Sequence, residues 1–135
     1  MGFPEIFEYD RGIHRTKHCW NQGHADFREE HGALIGKCPN TITDEIAKEI
    51  LNSGVAFRKH GCQEIECIYA VFNGVVYEAA PTEVGKSFHG YPWRGDRGAS
   101  PLPDRIIHGL EKAATASGCL VEFQDWMKRF GGESW

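Results

Sequence analysis

The chain has 135 residues, 41% hydrophobic and 25% charged, with 15 Lys and Arg against 19 Asp and Glu for a formal net charge of −4. That length suits one domain able to bury a core of its own, and the composition excludes wholesale disorder, collagen and coiled coil. The acidic balance speaks against a dedicated duplex-DNA binder, which presents a basic face.

In chain order, residues 1–38 read as an irregular arm and 39–135 as an α+β core. Met1 to Glu5 has neither a basic start nor an apolar run, so no signal peptide is expected, and Gly2 lacks the downstream Ser or Thr of a myristoylation site. Residues 5–9 have the pattern of a short strand. Residues 25–31 suit one or two helical turns ahead of Gly32, and 33–35 a strand fragment. Glycines at 12, 23, 32 and 36 interrupt every longer pattern.

From Thr41 the signals sharpen. Thr43 can cap a helix whose first turn carries Asp44 and Glu45, where the helix dipole favours negative charge. Ile46, Ala47, Ile50 and Leu51 share one face, and Gly54 supplies the stop, which predicts a helix over 44–52. Residues 55–58 then leave as a strand. The runs 65–72 and 75–80 flank Asn73-Gly74, a strong hairpin signal. A two-residue turn pairs Phe72 with Val75, Ala70 with Tyr77 and Ile68 with Ala79 on one face. It pairs Val71 with Val76, Tyr69 with Glu78 and Cys67 with Ala80 on the other. Both faces are largely apolar, so the hairpin should be covered on both sides, with Glu78 the one charge directed into the second face.

Residues 86–89 suit a further strand, followed by a Gly-punctuated loop over 90–100. Pro103 opens a second helix over 103–117 at its first helical position, with Ile106, Ile107, Leu110, Ala113 and Ala114 on one side, and Gly118 ends it. Phe123, Trp126, Met127 and Phe130 repeat at helical spacing and predict a third helix over 121–130, its aromatic face read as core. The expected architecture is an antiparallel three- to four-stranded sheet packed by these helices. No βαβ repetition suggests a doubly wound nucleotide fold. The longest apolar runs, such as Ile68 to Phe72, fall far short of the roughly 20 residues of a membrane helix.

Two segments concentrate chemistry. Six of the twelve His and Cys lie between His14 and Cys38. Zinc takes four such ligands from closely spaced pairs, and Cys19 with His24 and His31 with Cys38 form a conceivable set that would clamp the arm. The spacing between His31 and Cys38 is long and no C-x-x-C occurs, so it favours the plainer reading of surface histidines and small buried thiols. His14 and His18 lack the Glu that a metalloprotease helix places after its first His.

The second segment, residues 86–105, is locally basic in an acidic chain. His89 and Glu78 can serve as acid and base for phosphodiester cleavage, with Lys86, Arg94 and Arg97 on phosphate and Tyr91 and Trp93 stacking on bases. The plainer alternative folds Trp93 over the open hairpin face as a core lid. Gly85-Lys86-Ser87 echoes the end of a P-loop, but Ala80 stands where an earlier Gly is required. Arg94-Gly95-Asp96 spells a cell-adhesion tripeptide, too short a match to carry weight. No cysteine or serine has the context of a nucleophile.

These readings favour a small soluble module that binds a macromolecular partner, protein rather than nucleic acid and neither duplex DNA nor membrane. The alternative is a small acid–base hydrolase of nuclease type. Five scattered cysteines, an odd count, suit reduced thiols in a cytoplasm better than a disulfide scaffold.

Overall fold

Asn73 and Gly74 both adopt positive φ, 51° and 82°, as the centre of a type I′ turn requires. The turn lies in a computed structural model that describes residues 7–9, 22–30, 32–58, 65–83, 86–96 and 101–135. It joins β5 (Cys67–Phe72) to β6 (Val75–Glu83) in the register expected from a two-residue loop, Phe72 opposite Val75 through Ile68 opposite Ala79. Antiparallel neighbours flank the pair. β4 (Val55–Phe57) lies beside β5 and β7 (Ser87–Pro92) beside β6, with an irregularity between Pro81 and Glu83.

Both faces of this sheet are covered, as its two apolar faces demand. Helix α1 (Asp44–Asn52) lies on one face, where Leu51 packs with Ile65, Ile68, Ala79 and Phe88, and Ala47 with Ile42 and Tyr77. Thr43 Oγ1 accepts the Ile46 N–H at 3.2 Å, the expected cap. Helices α2 (Asp104–Ser117) and α3 (Leu120–Phe130) cover the other face. There Ile106, Leu110, Phe123, Trp126, Met127 and Phe130 bury against Tyr69, Val76 and Trp93. Pro103 is the residue before α2 rather than its first helical residue, and Gly118 ends that helix at φ 75°. No described helix is long and apolar enough to cross a membrane.

Three expectations need correction. The sheet is five-stranded and mixed, in the order β1-β7-β6-β5-β4, because β1 (Glu8–Tyr9) joins its edge parallel to β7. Contacts remote in sequence place β1: the Asn52 side chain accepts the Phe7 N–H at 2.8 Å and donates to the Phe7 carbonyl at 3.0 Å. Second, the arm is not wholly irregular. Residues 26–30 form no helical turn; β2 (Asp26–Glu30) pairs antiparallel with β3 (Ala33–Lys37) as a separate two-stranded sheet. Tertiary contact overrides the helix-compatible local sequence. The Phe27 ring lies 5.9 Å from that of Trp126 and 5.2 Å from that of Phe130, and Lys37, 6% exposed, reaches Glu30 at 2.9 Å. Third, β7 extends through Pro92 into the stretch read as loop.

The turn at Asn73-Gly74 abuts α3. A Cβ on Gly74 would stand 2.2 Å from the Glu122 Cβ and 2.8 Å from the Glu122 carbonyl carbon. Gly118 also has positive φ, but nothing lies within 4 Å of its would-be Cβ. Gly118→Ala is therefore expected to cost about 1 kcal/mol, from backbone strain alone, and Gly74→Ala at least about 2 kcal/mol, since α3 must also move. Urea denaturation midpoints compare the two; equal losses would refute the contact between turn and helix.

Candidate functional site

The pairings that flank β6 align Tyr69, Glu78 and Tyr91 across three neighbouring strands. Their side chains meet. The Tyr69 hydroxyl donates to Glu78 Oε2 at 2.6 Å and the Tyr91 hydroxyl to Oε1 at 2.8 Å. Short O–H···O⁻ bonds of this kind are stronger than neutral ones. They hold the half-buried carboxylate, which has no cation beside it among the described residues.

The environment acts on its neighbours in one direction. Burial first, then the hydrogen bond to Glu78 and its charge, pushes the Tyr69 phenol far above its ordinary value. Tyr91 is raised by burial and by the Glu78 charge. Burial, reinforced by the negative charge of Glu78, pushes the Cys67 thiol up to about 11, so at neutral pH it is not the thiolate a nucleophile requires.

His89 lies opposite Ala80, two residue pairs along from Glu78 and Tyr91 and so on the same side of the sheet. Its Nδ1 is 3.0 Å from Thr82 Oγ1 and its ring 6.2 Å from that of Tyr91. The two residues nominated as acid and base thus share a face. The nominated phosphate ligands are held elsewhere. Lys86 is exposed and sits 3.6 Å from Glu83. Arg94 is bidentate to Asp96, with Nη2 3.2 Å from Oδ2, and lies 5.1 Å over the Phe27 ring and 4.9 Å over the Phe130 ring. Trp93 is 4% exposed, and its carbonyl accepts the Trp126 indole N–H at 3.1 Å; it is a core residue. Arg97 lies outside the described residues.

Of the four nominated zinc ligands, Cys19 and His31 lie outside the described residues. His24 is on the surface with Nε2 3.8 Å from Asp26. Cys38 is half-buried, its thiol 3.8 Å from the Gly90 carbonyl, beside a small apolar cavity lined by Tyr9, Ile42, Leu51 and Tyr77. Among the described residues no three His, Cys, Asp or Glu side chains converge as a metal would require.

A second site has no counterpart in the sequence reading. A cleft of about 620 Å³ opens where the Asn73-Gly74 turn meets the start of α3, within the size range of ligand-binding clefts. Phe72, Val75, Tyr77, Ile42 and Trp126 line its interior, and His24, Asp26, Val121, Glu122, Asp125 and Arg129 stand among its walls. Val121 is 73% exposed, one of two large hydrophobics left in solvent among the described residues. One signal of this was legible: Val121 is apolar yet falls off the stripe of Phe123, Trp126, Met127 and Phe130. Compared with protein-family models, curated proteins and solved structures, the chain matches none.

Two outcomes follow for the sheet site. Tyr91→Phe removes one of the two donors to Glu78 and is expected to cost about 2 kcal/mol in urea denaturation; no loss would mean solvent replaces the phenol freely. The phenols of Tyr69, Tyr77 and Tyr91 are raised in the folded chain, while the unfolded chain ionises near the ordinary value of about 10. The folded state then holds the extra protons, so stability is complete below about pH 10 and falls as the pH climbs beyond it. Tyrosinate absorbance should therefore rise together with loss of structure; full ionisation of an intact fold at that pH would contradict the burial.

Proposed function

We propose that the chain is a protein-binding module whose partner docks in the cleft between the Asn73-Gly74 turn and α3. The observation that carries this is the cleft itself, open and lined by Phe72, Val75, Tyr77 and Trp126 alongside polar residues, with Val121 exposed beside it at 73%. An exposed hydrophobic side chain next to a partly apolar concavity is how a docking site is built, because the partner's side chains remove both from water.

The hydrolase reading has one observation in its favour, the shared face of Glu78 and His89. Among the described residues, the other nominated groups are committed elsewhere. Glu78 is committed to two phenols, and Arg94 and Lys86 are engaged by Asp96 and Glu83. Stabilising a phosphorane-like transition state needs cations aimed at the developing charge.

Backbone amide NMR of the full chain separates the two. Short randomised peptides are expected to shift the signals of Val121, Glu122 and Asp125, equally in wild type and His89→Ala, while single-stranded RNA and DNA oligonucleotides stay intact. Oligonucleotide cleavage that His89→Ala abolishes would replace this proposal with the hydrolase reading.

A further inference from the structure

We infer that the cleft takes a cationic segment of the partner protein, an Arg or Lys side chain next to an aliphatic one; this rests on the protein-binding reading above. Three carboxylates stand around the opening, from Asp26, Glu122 and Asp125, against the single guanidinium of Arg129. Arg129 already lies over the Phe130 ring, 4.7 Å from its centroid. Asp26 has His24 at 3.8 Å and accepts the Phe27 N–H at 2.8 Å. Neither Glu122 nor Asp125 has a Lys, Arg or His nitrogen within 4.0 Å among the described residues, although Arg129 lines the same cleft.

The two differ in what else explains them. Glu122 is in the first turn of α3, where a negative charge is favoured by the helix dipole. Asp125 lies a turn further on, and that account does not extend to it. The carboxylates do not converge on one point, since no group of three acidic, His or Cys side chains among the described residues could hold a metal ion. They are spread along a cleft whose interior is Phe72, Val75 and Trp126. This matches an extended occupant with an apolar body and charged tips. Arg and Lys have that form, since their methylene stems lie on apolar surface while their heads reach the rim. A phosphate backbone would meet the same carboxylates as repulsion. The net charge of −4 also attracts a cationic partner at long range.

The test is titration of the full chain, at low salt, with a synthetic peptide of alternating Arg and Leu and with its isostere carrying citrulline for Arg. Amide shifts at Val121, Glu122 and Asp125 report on the cleft. The Arg peptide is expected to shift them and to bind at least about five-fold more tightly than the citrulline peptide. Asp125→Asn should weaken it by about the same factor, Glu122→Gln likewise, and Glu49→Gln on the exposed surface of α1 not at all. If both peptides bind the cleft equally, or if neither Asp125→Asn nor Glu122→Gln weakens the Arg peptide, the cationic assignment is wrong and the protein-binding reading stands. If neither peptide shifts a cleft amide and an oligonucleotide does, both are wrong. If the same amides shift on concentrating the chain alone, the occupant is a second copy and the assignment to a cationic partner fails.

Discussion

Two consecutive residues in left-handed conformation fix most of this architecture. With Asn73 and Gly74 at φ 51° and 82°, the strands on either side have no choice of register, and a slip of one residue would exchange the two faces of the sheet. The pairing puts Ile68, Ala70, Tyr77 and Ala79 toward α1, and Tyr69, Val71, Val76 and Glu78 toward the opposite side. The same turn, bare of a side chain at Gly74, lets the backbone of α3 approach within contact. One local conformation therefore sets the layers, the carboxylate's neighbours and one wall of the cleft.

Charge is handled differently at each place where the fold takes it out of water. Glu78 is held by two phenols, with no cation beside it among the described residues. Lys37 is buried against the half-exposed Glu30. Arg94 lays its plane near two aromatic rings while Asp96 holds its edge, a use of the guanidinium that an ammonium could not reproduce. In each case a side chain suited to solution chemistry has become part of the packing. The reactive residue types between Lys86 and Asp96 are in these cases parts of the packing.

How much could be read from the sequence followed the range of the interactions. Helix α1 was legible because its cap, acidic first turn and apolar face lie within a dozen residues, and the β5–β6 hairpin because its turn is two residues long. The pairing of Tyr69 with Glu78 followed from that register alone. β2 is not legible as a strand because Asp-Phe-Arg-Glu-Glu carries no strand alternation; its conformation is imposed by Phe27 against Trp126 and Phe130. β1 is two residues long and its partner β7 lies far along the chain. The cleft was invisible for the same reason, being assembled from residues near 24, 40, 74 and 125 that share no local pattern.

The cleft's composite wall has a thermodynamic corollary. Gly23, His24 and Ala25 lead into β2 and Asp26 is its first residue, whereas Val75, Glu122 and Asp125 belong to the sheet and α3. The β2–β3 hairpin rests on the rest of the molecule through Phe27 and through Gly36, whose would-be Cβ lies 3.0 Å from the Pro92 carbonyl oxygen. The proposed occupant of the cleft touches both sides of that seam. Its binding free energy is then added to the docking of the hairpin, by the mass-action linkage through which a ligand stabilises the form it binds. For the proposed occupant, the β2–β3 hairpin on one side and the sheet with α3 on the other are two halves of one clamp.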